Sequence, residues 1–261
     1  MDTGVVLSPE DYAARHDFVR HVELHSYRSY RGDQSGHVPH AIFKLRYEVY
    51  CIECAFLPAA EAAGGMEIDE YETASVHFAA YSADETLIGT ARLVQPPAAQ
   101  PYPLERHCRL FDGARMPPRA QTGEISRLVV RKGYRRRRAD SLLGVPGIEP
   151  LPAGAAERRH GERRGDSPML LFGIYREMFR HSQRSGIRYW LAAMERSLAH
   201  SLVRLGFDFE AIGPQTDYYG TVAPYQLDLQ RTASTMAQAN PELAAWFLAP
   251  ARDADLSRPR Y

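Results

Sequence analysis

Cysteine is scarce. The chain has three in 261 residues, Cys51, Cys54 and Cys108, an odd number that builds no disulfide framework. Cys51 and Cys54 form a C-x-x-C, but no second C-x-x-C and no spaced histidine pair follows to complete the four ligands of a structural zinc site. Buried small residues are the simpler reading, and no metal site is expected. Long apolar runs are missing too: none approaches the roughly 18 residues of a membrane-spanning helix. The first residues, Met1-Asp2-Thr3-Gly4-Val5-Val6-Leu7-Ser8, have neither the basic start nor the apolar core of a secretion signal. Neither charge is in excess, since 32 basic and 32 acidic residues give a formal net charge of zero. No global field therefore draws in nucleic acid or membrane. Together these absences point to a cytoplasmic protein without an integral membrane segment.

Charge is concentrated locally instead. The stretch Gly123-Glu124-Ile125-Ser126-Arg127-Leu128-Val129-Val130 runs into Arg131-Lys132-Gly133-Tyr134-Arg135-Arg136-Arg137-Arg138. Its β-branched and apolar residues mark a strand, yet it carries a carboxylate at Glu124 and a guanidinium at Arg127. A charge in a sheet interior costs roughly 3–5 kcal/mol when its partner is missing, so two in one strand point to a site. Residues three apart on a regular strand face opposite sides. Either a β-bulge re-aims one of the pair, or the two serve different places. The basic run behind the strand points to an anionic partner.

With 44% apolar content the chain can build a real core in one large or two small domains. Residues 1–38 read as an N-terminal extension: a capped helix start at Ser8-Pro9-Glu10-Asp11, a helix or strand over 17–24, and a loop to residue 38. Pro39 opens a helix over 40–54, with Ile42, Phe43, Leu45, Val49, Tyr50 and Ile52 on one broad apolar side. Arg46 falls inside that side, where a stem snorkelling along the core rim is the plain structural reading. After a loop comes an acidic patch, Glu67, Asp69, Glu70 and Glu72. Residues 76–81 and 87–94 form a hairpin, and its second strand carries Arg92. A Pro-rich connection over 96–118 leads to the central strand, and residues 131–167 read as a mobile basic insertion. A helix over 169–185 stops at Gly186. A buried strand over 189–194, a short helix, and strands over 209–212 and 223–229 follow. Residues 231–261 are set apart as a tail, with an amphipathic helix near 242–248 that covers a groove or a partner surface. Residues 39–230 thus make a mixed α/β domain of layered α+β style, a central mixed sheet flanked by helices and antiparallel in its first half.

Four motifs in one order carry a resemblance. They are Phe43-Lys44-Leu45-Arg46-Tyr47-Glu48-Val49-Tyr50, Gly65-Met66-Glu67-Ile68-Asp69-Glu70-Tyr71, Gly89-Thr90-Ala91-Arg92-Leu93 and Gly123-Glu124-Ile125-Ser126-Arg127. Over roughly residues 40–230 the chain resembles the acyl-homoserine-lactone (autoinducer) synthases. It is more similar to their relatives, the long-chain N-acyl amino acid synthases and the acyltransferases associated with exosortase sorting systems. Phe56-Leu57-Pro58, Val76-His77-Phe78 and the basic run resemble the last group in particular. The resemblance implies the GNAT-like acyltransferase fold. It also implies an acyl carrier protein as partner, its acyl-phosphopantetheine thioester as donor, and no tightly bound cofactor. Arg46, Glu67, Asp69, Arg92, Glu124 and Arg127 are then expected to line the acceptor side of a cleft, with Tyr50 and Phe56 beside them. Glu72 stands where autoinducer synthases have Asp, and Phe56 where they have Trp. These departures, with the insertion and the tail, point away from S-adenosylmethionine as acceptor and a lactone as product.

Under that resemblance the scattered charges become one compensated network for a zwitterionic acceptor, guanidinia for its carboxylate and acids for its ammonium. Glu124, directly or through a water, is the expected base for the amine, with Arg127 as its catalytic companion. Backbone N–H groups near Leu128, Val129 and Val130, exposed by the bulge, are expected to hold the thioester oxyanion. Arg131, Arg135 and Arg136 are expected to meet the pantetheine and its acidic carrier. No Cys or Ser stands in a nucleophile motif, which favours transfer within a ternary complex. Two other readings stand beside this N-acyltransferase: an autoinducer synthase using S-adenosylmethionine, and a non-catalytic module that binds acyl carrier protein. Nucleic acid is not an expected partner, because the Arg run lacks interleaved aromatics. Peripheral membrane contact is left open.

Overall fold

A computed structural model describes residues 25–33, 37–134, 167–203 and 205–250. The expected helix start near Ser8, residues 17–24, Arg135, Arg136, nearly all of the basic insertion and the chain after residue 250 lie outside the described residues.

One eight-stranded sheet runs β1 (Ser26–Arg31), β2 (Ser75–Tyr81), β3 (Leu87–Val94), β4 (Thr122–Val130), β5 (Tyr189–Met194), β8 (Thr221–Asp228) and β6 (Glu210–Ala211), with β7 (Thr216–Asp217) paired onto β8. Every pairing is antiparallel except β4 with β5. That parallel pair is short, running only from Thr122↔Tyr189 to Ile125↔Ala192. Beyond it β4 continues to Val130 paired with β3 alone, and β5 to Met194 paired with β8 alone. The sheet therefore parts between β4 and β5 after Ile125, and its halves frame an opening. β1 corrects the loop expected there. Its sequence, Ser-Tyr-Arg-Ser-Tyr-Arg, lacks apolar alternation because it is an edge strand with half-buried residues.

Period-2 alternation puts two different layers on the two faces of the sheet. Phe78, Ala80, Ile88, Ala91, Leu93, Ile125 and Val130 pack against helix α3 (Ser167–Arg184) in the main core. Ala79, Tyr81, Leu87 and Val129 face Ile42, Leu45 and Val49 of helix α1 (His40–Tyr47) and its continuation. Gly89 lets α3 come close, since a Cβ there would meet Leu170 at 2.8 Å. The helix ends as the sequence predicts: Gly186 takes φ 70°, and the Ile187 N–H closes onto the Ser182 carbonyl at 2.9 Å. Trp190 on β5 is wholly buried, and its indole N–H donates to Ser182 at 2.9 Å.

The helix expected over 40–54 is α-helical only to Tyr47. Glu48–Glu53 widens into a π-helix, with the Cys54 N–H bonded to the Val49 carbonyl five residues back, a geometry that recurs at functional sites. The tail is not separate either. Asp228 caps α5 (Leu229–Ala239) and Asn240 caps α6 (Pro241–Leu248). Leu243, Ala244 and Phe247 of α6 lie in the main core, with the Phe247 ring 5.2 Å from Phe179 and 5.3 Å from Phe207. The strand expected over 209–212 shrinks to the two residues of β6. Two short helices, α2 (Pro103–His107) and α4 (Arg196–Val203), complete the fold.

Candidate active site

The β4 bulge is the device that assembles the site. Arg92 pairs with Ser126 but Thr90 with Val129, so β4 spends one residue more than β3 over the same span. Arg127, at that point, adopts a left-handed φ of 50°. The extra residue brings Arg127 onto the α1 side of the sheet, the side where Ser126 accepts from Arg92 Nε at 3.0 Å. Arg46, which its helix alone reads as a stem at the core rim and the resemblance as part of the charged cluster, points into the space between α1 and the sheet and is fully buried.

Three guanidinia and three carboxylates meet there. Arg46 Nε donates to Glu67 at 2.5 Å and its Nη2 to Glu72 at 2.8 Å. Arg127 donates to Glu67 through Nε (3.0 Å) and Nη2 (2.9 Å), and to Asp69 at 3.0 Å. Arg92 grips both oxygens of Asp69, at 2.5 and 2.9 Å, and reaches Glu72 at 2.8 Å. Glu67 thus bridges Arg46 and Arg127, Asp69 bridges Arg92 and Arg127, and Glu72 bridges Arg46 and Arg92. The charges cancel, which is what lets the set lie buried. Burial alone would raise the pKa of Asp69 and of Glu72. Arg92 and Arg127 around Asp69, and His77, Arg46 and Arg92 around Glu72, outweigh it and hold both acids below their usual range. His77, wholly buried on β2, places Nε2 3.0 Å from Glu72. Burial lowers the His77 pKa, although the Glu72 carboxylate beside it pulls the other way.

Glu124 stands apart from this set. Only 1% exposed, it accepts the Leu104 backbone N–H on both oxygens, at 3.2 and 3.0 Å. Among the described residues no guanidinium pairs with it. Burial pushes its pKa up to about 8, although the Leu104 N–H, Arg92 and Arg127 pull the other way. Alternating with Ile125, Glu124 shares the sheet face of the arginine cluster, but it is bonded to the first turn of α2 and, among the described residues, to none of the three guanidinia.

Aromatic rings cover the network. The guanidinium carbon of Arg127 lies 5.3 Å from the ring centres of both Tyr50 and Tyr219. Phe56, 41% exposed, is 6.1 Å from Tyr50 and 6.4 Å from Tyr219. His107 stacks on Tyr218 at 4.1 Å. Leu128, Val129 and Val130 follow the bulge on the β4 edge that faces the opening. Arg131 is committed to the Leu87 carbonyl (3.0 Å) and Glu48 (3.3 Å). Cys51 and Cys108 are buried as expected, but Cys54 is exposed. Residues absent from the sequence-level site are His77, Leu104, His107, Tyr218 and Tyr219. Of these only His77 left a signal, a lone imidazole in an otherwise apolar strand. Among the described residues, no group of three or more His, Cys, Asp or Glu is placed to hold a metal ion. None of the described helices is long and apolar enough to cross a membrane. A cavity of about 280 Å³ near Arg115, Glu210 and Asp228 lies toward the Thr122 end of the sheet, away from this cluster.

The family profile described as an acetyltransferase (GNAT) domain matches residues 45–145, the span that carries the network, the bulge and Glu124. Residues 45–145 are a GNAT acetyltransferase domain. The chain thus carries an acyltransferase domain of the GNAT kind. A comparison with curated proteins found no match. Among solved structures the GNAT domain and its flanks are similar to the acyl-homoserine lactone synthase LasI, with 15% identity over 83% of this chain and 95% of that one (TM-score 0.57). They are similar to BjaI, described as a CoA-dependent acyl-homoserine lactone synthase with SAM and isopentyl-CoA, at 17% identity over 87% and 91% (TM-score 0.58). TofI, solved with an inhibitor and MTA, gives 18% identity over 84% and 99% (TM-score 0.53). Identities this low establish a shared fold.

Proposed function

We propose that this chain moves a long fatty acyl group from the phosphopantetheine thioester of an acyl carrier protein to the amine of an amino acid or a related small acceptor. The observation that carries this reading is the division of labour among four carboxylates, Glu67 and Glu124 buried and Asp69 and Glu72 partly exposed. Three are tied to arginines, and Glu124 alone is kept from any guanidinium. A carboxylate with its pKa near 8 is a competent base for an ammonium at mildly alkaline pH.

The tied set suits a zwitterion. Its charges sum to zero, and its most exposed members are the side chains of Asp69 (16%) and Glu72 (13%), while Arg46, Arg92 and Arg127 are at most 6% exposed. An acceptor ammonium meets these carboxylates, and the guanidinia behind them offer charge for its carboxylate. Glu124, directly or through a water, takes the proton from the amine. The amine nitrogen then attacks the thioester carbonyl carbon, and the oxyanion is held by N–H groups of the β4 edge near Leu128, Val129 and Val130. Collapse breaks the C–S bond, the nitrogen loses its second proton, and the carrier thiolate is protonated. The products are the amide and the free carrier thiol. Arg131, with Arg135 and Arg136, contributes positive charge for the acidic carrier. Cytoplasmic location belongs to the same proposal.

The test is thiol release from long-chain acyl carrier protein and, separately, acyl-CoA. Each donor is offered a pool of amino acids or S-adenosylmethionine, and the products are read by mass spectrometry. An N-acyl amino acid supports the proposal and names the acceptor. An acyl-lactone replaces it with the autoinducer reading. Carrier binding without thiol release at any chain length moves the assignment to a regulatory module.

A further inference from the structure

Four non-glycine residues among those described adopt left-handed backbone: Ala55, Glu85, Arg127 and Tyr219, with φ of 51°, 60°, 50° and 55°. Such conformations cost on the order of 1–3 kcal/mol each and persist where the surroundings enforce them. Glu85 sits in the β2–β3 turn, where this geometry is ordinary. The other three converge. Ala55 delivers Phe56, and Phe56, Arg127 and Tyr219 meet in the aromatic cover of the charged network.

Their origins in the chain differ. Arg127 lies on β4, and Tyr50 and Phe56 come from the π-helix and the turn after it; all belong to the half of the sheet that carries the network. Tyr219 belongs to the other half, in the Tyr218-Tyr219-Gly220 turn between β7 and β8. The Tyr218 N–H bonded to the Gly220 carbonyl at 2.9 Å closes this turn, and Gly220 has φ 100°. A residue at 220 with a side chain would be strained, and its Cβ would stand 3.7 Å from the Phe56 ring. The turn therefore reaches across the opening after Ile125 and lays a ring on Arg127, while Tyr218, stacked on His107, continues the wall toward α2.

We propose that Tyr219 is a positioning residue: from the far side of the cleft it holds the Arg127 guanidinium against Glu67 and Asp69, and so sets the affinity for the acceptor. The inference rests on the acyl-transfer reading for its kinetic consequence, but its geometric content stands alone. Because the contact is between a cation and a ring face, the ring matters and the hydroxyl does not.

Tyr219→Leu and Tyr219→Phe separate these roles. Tyr219→Leu is expected to raise the acceptor KM about tenfold, equivalent to about 1.4 kcal/mol, with kcat and the donor KM within about twofold. Tyr219→Phe is expected to match wild type. An acceptor KM unchanged in Tyr219→Leu, or lost equally in Tyr219→Phe, overturns the role. If the wild-type protein releases no thiol with any acceptor, the acyl-transfer reading fails on its own, and Tyr219 is judged by labelling. Phenylglyoxal modification of Arg127, read by peptide mass, is expected to rise about threefold or more in Tyr219→Leu but not in Tyr219→Phe. Equal labelling in all three proteins overturns the positioning role whatever the activity.

Discussion

The Leu104 backbone N–H bonds both carboxylate oxygens of Glu124, at 3.2 and 3.0 Å. It is the one hydrogen-bond donor this buried group has among the described residues. A single neutral donor does not offset removal from water, so the carboxyl is held protonated at neutral pH.

Replacing that carboxyl tests its chemistry. Glu124→Gln keeps the shape and can still accept from Leu104, but takes up no proton. Acyl transfer is expected to fall about 10²–10⁴-fold with donor binding unchanged. Steady-state thiol release beside carrier-binding titrations decides it, and a loss smaller than about tenfold removes Glu124 from the base role.

The pH dependence follows from the same pKa. Only the ionised form accepts a proton, so the acceptor-saturated rate should climb through an inflection near pH 8. Stability runs the opposite way. The folded pKa, about 8, lies above the ordinary carboxyl value of 4.5. The contribution is therefore whole below pH 4.5 and is lost as pH rises through 8. Glu124→Gln should be more stable than wild type at pH 9, with the gap closing by pH 5; denaturant midpoints at the two pH values check the sign.

Glu72 and Asp69 set the acid limb. Their folded pKa values are lowered, so the stability they contribute is present above their ordinary range and is lost as pH falls through the folded values. Glu72→Gln should flatten the loss of stability below pH 4.5. An unchanged acid unfolding curve would show that the carboxylates exposed at this point are not the ones that titrate.

Glu67 is the buried bridge between Arg46 and Arg127. Removing its charge leaves two guanidinia facing one another in the interior. Glu67→Gln is expected to cost about 3–5 kcal/mol in chemical denaturation. The exposed pair Arg106–Glu70, at 2.7 Å, is the control, and Glu70→Gln should cost at most about 1 kcal/mol.

Much of the scaffold was legible locally. The β2–β3 hairpin, the central strand and the α3 stop at Gly186 follow from alternation, turn residues and a C-cap, all short-range features. The parity conflict between Glu124 and Arg127 left two readings, a bulge or two separate places, and the irregular β3–β4 register at Arg127 decided between them. β1 was hidden because an edge strand of Ser, Tyr and Arg has no apolar period. The π-helix was hidden because its apolar side is continuous with that of α1, and only the hydrogen-bond register changes. α5 was hidden because its start, Asp228, caps it directly at the end of a strand.

The sequence by itself determined that charges would be buried in a mixed sheet of this kind, because residue type and period are local properties. Which charge meets which was decided by the tertiary structure. Arg46, Glu67, Asp69, Glu72, Arg92 and Arg127 are dispersed over 82 residues of chain, and pairing among them depends on register and on where α1 lies across the sheet. Glu124 acquired its raised pKa, and Tyr219 its hold on Arg127, only when folding removed water from one carboxyl and carried a turn across the open centre of the sheet.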